Sequence, residues 1–295
     1  VLYMARMASI YMVWILILVF LQENHVAQAW VYSGISVGST SPTKRQISIA
    51  PLLSAATTQV ACANIPGSDP ERPQKVNQDA HFSFQRDNVT VIGVLDGHGL
   101  KGHQVTNFLK DQLAVRLQQH LSRVLDGNKD NNDDDDPTYV ELWQKQQRDL
   151  VELGNAEAKE LVNGDPNAQA LVDSFLQAQL DARRDTSVPT GRSGTTCVVC
   201  VLIQSNESDF VLYTAAVGDS RAILLLDGTN VQQIAAKTTV KVSSERERIQ
   251  RSEGHMDGSG NVFYGPVGIA MTRSLGNAVM LRAGVLPIPI VSRYE

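Results

Sequence analysis

Two short, largely apolar stretches, 80–84 and 89–95, flank a polar turn at Arg86-Asp87-Asn88 and read as consecutive strands. The second runs into Asp96-Gly97-His98-Gly99, a turn sequence. Val105, Phe108, Leu109, Leu113, Val115, Leu117 and Leu121 then fall near helical spacing, which predicts an amphipathic helix over 102–125. Two further helices are expected over 139–163 and 166–184. A β-rich stretch follows, with strands over 195–204, 210–217, 221–226 and 231–235 separated by hairpin signals at Asn206-Glu207-Ser208, Gly218-Asp219 and Asp227-Gly228. A last short helix is expected over 244–252, with Ser243 as N-cap. Glu245 and Glu247 fall in its first turn, where negative charge meets the positive end of the helix dipole. Strands, helices and then an antiparallel run of strands predict an α+β layered fold rather than a regular parallel sheet.

The pattern breaks over 126–137. Asp130-Asn131-Asn132-Asp133-Asp134-Asp135-Asp136 lacks the ligand spacing and Gly turn of a calcium-binding EF-hand, and like charges packed this closely repel, so a solvated surface loop is expected. Three cysteines, Cys62, Cys197 and Cys200, make no disulfide framework. Cys197-Val198-Val199-Cys200 has nominal C-x-x-C spacing but sits inside a β-branched apolar run. On a strand, positions i and i+3 point to opposite faces, so these two are expected as separate core residues.

The amino-terminal segment reads differently. Arg6 precedes an apolar run over 10–21 broken only by Tyr11, and Ala27-Gln28-Ala29 is a small-x-small cleavage signal. Together these predict a secretory signal peptide over 1–29; the run is shorter than the roughly 20 apolar residues of a membrane span, with an uncleaved anchor as the alternative. From 30 to 68 there is no Asp or Glu while Ser, Thr and Ala are frequent, so 30–70 is expected as a transit-like or disordered leader. Entry into the secretory pathway is implied. Its end is either a plastid, through a two-part address, or export as a secreted protein.

Composition narrows the remainder. Of 295 residues, 43% are apolar and 19% charged, which is globular, and the net charge of -5 offers no basic face for nucleic acid. One domain over 71–295 is expected, large enough to bury a core without disulfides.

Chemistry concentrates around two carboxylates. Asp79 lies just before one strand and Asp96 at the carboxyl end of the next, so pairing those strands brings both to one end of a sheet. Two carboxylates beside a Gly carbonyl suit a hard cation such as Mg²⁺ or Mn²⁺, although Asp-Gly turns are common and most are only structural. Further blocks stand in a fixed order: Asn77-Gln78-Asp79-Ala80, Gly93-Val94-Leu95-Asp96-Gly97-His98-Gly99, Ser193-Gly194-Thr195-Thr196, Ala216-Val217-Gly218-Asp219-Ser220-Arg221-Ala222, Glu247-Arg248-Ile249 and Thr272-Arg273-Ser274-Leu275-Gly276-Asn277. In this order they resemble the PPM-type (type 2C) metal-dependent Ser/Thr protein phosphatases over 75–295.

The resemblance implies a central antiparallel β-sandwich flanked by helices, with a metal site at one end. In that family two Mn²⁺ or Mg²⁺ ions bridge a water and orient it for attack on phosphoserine or phosphothreonine in a phosphoprotein substrate. Carried over, Asp79 and Asp96 are metal ligands with Asp96 bridging, Gly97 contributes its carbonyl, and His98 is the general acid. The family's phosphate-holding basic residue stands five before the Asp79 position. Here that is Gln74, and Lys75, one step on, takes the phosphate-binding role.

The chain also departs from the family. Lys237-Thr238-Thr239-Val240 replaces a D-H-K-P block, and Asn277 stands where Asp is common. Two more metal ligands are expected from a D-G-x-x-D strand and a D-N block beyond Val291, and neither occurs before Glu295. The resemblance is therefore to a fold incomplete at its carboxyl end, and a full two-metal site is not expected from these residues. Both an active phosphatase and an inactive pseudophosphatase that binds phosphoproteins fit this pattern.

Overall fold

Alternation along one strand sets the architecture. The computed structural model describes residues 15–20, 26–33, 58–65, 76–126, 164–204, 209–226 and 230–295. The first three of these are strands β1 (Ile15–Phe20), β2 (Val26–Ser33) and β3 (Thr58–Ile65). They are followed by β4 (Asp79–Arg86) and β5 (Val89–His98), which pair antiparallel with Arg86 opposite Val89. The connecting turn is therefore only two residues, Asp87-Asn88. Asp87 adopts a φ of 51°, which short polar side chains tolerate and tight hairpins require.

The other edge of β5 pairs with β6 (Gly194–Thr195) and β7 (Cys197–Gln204). β7 continues to β8 (Phe210–Val217) as the hairpin expected from sequence. After β8 come β9 (Arg221–Leu226), β10 (Asn230–Gln233), β11 (His255–Met256), β12 (Val262–Tyr264), β13 (Val267–Ile269), β14 (Leu275–Gly276) and β15 (Ile290–Tyr294). β14 pairs with β6 and β15 with β8, completing a seven-stranded sheet. A five-stranded sheet has the order β10-β9-β1-β2-β3, and β11 to β13 form a small third one.

Odd residues of β5 and β7, among them Val91, Leu95, Cys197, Val199 and Val201, pack with Leu109, Leu113 and Leu117 of α1 (Gly102–Leu125) and Phe175 of α2 (Pro166–Arg184). Even residues, Ile92, Val94, Val198, Cys200 and Leu202, pack with Ala222 and Leu224 of β9. The layers are helices, seven-stranded sheet, five-stranded sheet. This is the flanked antiparallel sandwich expected, and strands with both faces covered explain the unbroken apolar runs. Among the described residues no helix is long and apolar enough to cross a membrane.

Cys197 and Cys200 lie on opposite faces of one strand, as period two requires, and burial pushes both thiols up, that of Cys200 to about 12. A thiolate-selective reagent applied to the native protein near neutral pH is expected to modify exposed Cys62 and neither of the other two. Labelling of Cys197 before unfolding would contradict this packing.

α1 and α2 have the boundaries expected from periodicity. Asp165 caps α2, accepting from the amides of Asn167 and Ala168, with Pro166 at the first helical position. The third helix, α3 (Ser243–Gln250), begins one residue early, so Ser243 is inside it and the cap is Val242, which has no side-chain oxygen to give.

The segment Ile15–Phe20, read from sequence as part of a targeting core, forms β1 and lies between β9 and β2 in the five-stranded sheet. Likewise β3 falls within 30–70, because an acid-free, Thr- and Ala-rich strand has the same composition as a transit segment. Lys75, Gln74, the helix expected over 139–163 and the acidic run 130–136 lie outside the described residues.

Candidate metal and phosphate site

The amino end of β4 and the carboxyl end of β5 meet in the register Asp79 opposite Asp96. The Gly97 amide donates to the Gln78 carbonyl at 3.1 Å, so Gln78 and Gly97 form a hydrogen-bonded pair. The next pair along, Asp79 and Asp96, is then the non-hydrogen-bonded kind, with Cα atoms about 4.5 Å apart and side chains close together. Parity places both carboxylates on the face turned toward the five-stranded sheet, the face of Ile92 and Val94. Asp79 is only 9% exposed.

Two carboxylates opposed in this way repel, which costs roughly 0.2–1 kcal/mol for an ordinary cross-strand pair and more where water is scarce. A hard divalent cation reverses that sign. The donor set fits one such ion: two carboxylates and the Gly97 carbonyl, to which Gln78 returns no amide. Among the described residues no group of three or more His, Cys, Asp or Glu side chains is gathered.

The opposite edge of β5 is shaped around the same residue. Thr196 donates its amide to the Asp96 carbonyl at 2.9 Å, while its hydroxyl takes the Asp96 amide at 3.2 Å. That hydroxyl also bonds Ser220 Oγ at 2.6 Å, tying Asp96 to the turn between β8 and β9. Within the turn, Gly218 has a φ of 92°, and an added Cβ would lie 2.7 Å from Thr196 Cβ. Thr238 closes it from outside through bonds to both the amide and carbonyl of Gly218. Asp219 is buried here; burial raises its carboxyl pKa, and the charges of Lys237 and Arg221 partly offset this. Lys237, which replaces the expected acidic residue, thus brings positive charge toward a buried carboxylate.

Gly97 points its missing side chain at α1, where a Cβ would meet Thr106 Oγ1 at 2.4 Å. One residue on, His98 returns to the carboxylate face, half-buried. Its Nε2 lies 2.5 Å from Asn277 Oδ1 and 3.4 Å from Ser274 Oγ. Desolvation lowers the His98 pKa, and bonds to Asn277 and to the Asp96 backbone pull the other way. Sequence reading placed Asp79, Asp96, Gly97 and His98 together, and the structure does bring these four to one end of the sandwich. It assigned no role to Thr196, Ser220, Ser274 or Asn277, although all four lie in the quoted blocks.

Behind this site sits a charged core that sequence reading missed. Glu245, taken as a first-turn dipole charge, is 1% exposed and accepts from Arg248 (2.7 Å from each of two nitrogens), Arg273 (2.8 Å) and Thr272 (2.5 Å). The spare guanidinium donors reach the carbonyls of Gly284, Thr272 and Ile288. Arg273 is the neighbour of Ser274, so this cluster anchors the segment that touches His98.

Residues 74–294 match the family model described as protein phosphatase 2C. Among curated relatives, Probable protein phosphatase 2C 1 of Arabidopsis thaliana is 30% identical over 234 residues, covering 72% of this chain and 47% of that protein. Probable protein phosphatase 2C 38 of Oryza sativa subsp. japonica is 29% identical over 247 residues, covering 75% and 51%. The chain spans about half the length of the curated relatives it matches. Among solved structures, serine-threonine phosphatase 2C from Toxoplasma gondii superposes with a TM-score of 0.52 at 15% identity, covering 96% of this chain and 78% of that one. At that identity the likeness speaks for the fold alone. With the family matched across three quarters of its length, the chain belongs to the protein phosphatase 2C family.

Proposed function

We propose that this chain hydrolyses phosphoserine and phosphothreonine in protein substrates, using one Mn²⁺ or Mg²⁺ held by Asp79, Asp96 and the Gly97 carbonyl. The observation that carries this reading is the cross-strand opposition of Asp79 and Asp96 with His98 two residues beyond, on the same face. When bound, the cation supplies Lewis-acid polarisation of the phosphoryl oxygens and acidifies the attacking water. Asp79 and Asp96 fix its position from two strands of one rigid hairpin, so the carboxylates need no reorganisation during reaction. His98 is assigned here as the general acid that protonates the leaving serine or threonine oxygen. The half-buried setting of Asp96 and His98 limits competing water while leaving the sheet end open to a protein substrate. Lys75 is proposed as the phosphate contact. The amino-terminal pattern supports entry into the secretory pathway.

A second reading, a phosphoprotein-binding module without turnover, is favoured by the departures from the family pattern at Gln74, Lys237 and Asn277. One assay separates the two. The purified chain is incubated with a phosphothreonine peptide in Mn²⁺, in Mg²⁺ or in a chelator. Phosphate release that depends on the metal and vanishes with the chelator is the expected result, and release undiminished by the chelator would overturn the metal site. Peptide binding without release would select the second reading.

A further inference from the structure

Asn277 has a geometry that its neighbours force. Its φ is 44°, in the left-handed region, and it is 1% exposed. Its amide donates to the Ser193 carbonyl at 2.9 Å. The preceding Gly276, at φ 77°, is clamped by Gln179 of α2, which accepts its amide at 2.7 Å and donates to its carbonyl at 3.3 Å. The side chain then crosses Gly194: a Cβ added there would lie 2.0 Å from Asn277 Oδ1, so only glycine leaves it room. What the carboxamide reaches across that gap is His98.

The hydrogen-bond inventory decides the direction of that contact. Ser274 Oγ donates to Asn277 Oδ1 at 2.7 Å, and the same oxygen lies 2.5 Å from His98 Nε2. A carbonyl oxygen only accepts, so the proton between them belongs to Nε2. We infer that Asn277 is a positioning residue: with Ser274 behind it, it holds His98 in the Nε2-protonated tautomer and fixes the ring plane. This rests on the phosphatase reading for its catalytic consequence, but the tautomer itself does not. A half-buried ring tied to an oriented acceptor loses rotational freedom before substrate arrives, the usual benefit of a second layer of contacts around a reacting group. An amide also does this without adding a negative charge beside the two carboxylates, as an aspartate at 277 would.

The test is nitrogen-15 NMR of the imidazole side chains in the full chain at about pH 8, where histidine is neutral. The His98 resonances are expected to report protonated Nε2 and bare Nδ1. Asn277→Asp, which keeps an acceptor, should retain that pattern, and Asn277→Leu should shift it toward a mixture of tautomers. Ser274→Ala, a smaller change, should weaken the preference in the same direction. A wild-type signal showing protonated Nδ1, or a tautomer unmoved in Asn277→Leu and Ser274→Ala alike, overturns the inference. In turnover of a phosphothreonine peptide, Asn277→Leu should lower kcat by about 10- to 100-fold with KM little changed, and Asn277→Asp should recover most of it. Equal losses in the two variants would reduce Asn277 to a purely structural role. A chain with no turnover but the expected tautomer would count against the phosphatase reading and leave the positioning role standing.

Discussion

Glu245→Ala is expected to lower the melting temperature by about 10 °C, corresponding to a loss of roughly 3–5 kcal/mol. The substitution withdraws the carboxylate shared by two buried guanidinium groups that are 8% and 3% exposed. Their bonds to the Gly284, Thr272 and Ile288 carbonyls remain, so the geometry survives while the electrostatics turn unfavourable. The pH dependence has a definite sign. Burial alone pushes the Glu245 carboxyl up, but Arg273 and Arg248 more than offset it and hold the group far below its ordinary 4.5. A carboxylate depressed on folding contributes its full stability above that ordinary value and loses it as the pH falls toward the folded-state value. The stability gap between wild type and Glu245→Gln, measured by urea denaturation, should be constant from neutrality down to about pH 5 and narrow below it. A gap that widens with acid would mean the cluster is not what stabilises this region.

Asp96→Asn should divide activity from stability. Loss of the carboxylate proposed to hold the metal is expected to reduce Mn²⁺-dependent hydrolysis of a phosphopeptide by at least about 10³-fold. The same change relieves the repulsion between Asp79 and Asp96, so the metal-free protein should melt at an equal or slightly higher temperature. Addition of Mn²⁺ should raise the melting temperature of the wild type and not of the variant, because only the wild type gains binding free energy on folding. Activity lost together with metal-free stability would point to misfolding, and activity retained would remove Asp96 from the mechanism.

The parts of this molecule that could be read in advance are those in which period and position carry the information. Strands β7 to β9 and helices α1 and α2 follow from alternating or helical spacing. The meeting of Asp79 with Asp96 follows once 80–84 and 89–95 pair as a hairpin. The parts that resisted are tertiary. Nothing near Glu245 distinguishes a carboxylate exposed in a first turn from one enclosed by Arg273, which lies 28 residues away. Asn277 reaches His98 across 179 positions, and its role depends on a glycine at 194 that has no side chain to betray it. Composition alone carries less: an acid-free stretch such as 58–65 reads equally as a transit segment or as a strand, and here it forms β3.

The hairpin of β1 and β2 bears on the order of events in the cell. Ala29 stands opposite Val19 on one side and Cys62 on the other, so the bond following Ala27-Gln28-Ala29 runs through the middle of a three-strand ladder. A processing enzyme needs that bond as a single extended strand, and the folded sheet already occupies both of its edges. Were the expected cleavage site used, cleavage and incorporation would be alternative fates of one peptide bond. A chain cut there during translocation gives up β1, and with it the neighbour of β9, whereas a chain that closes its sheet first becomes proof against the cut.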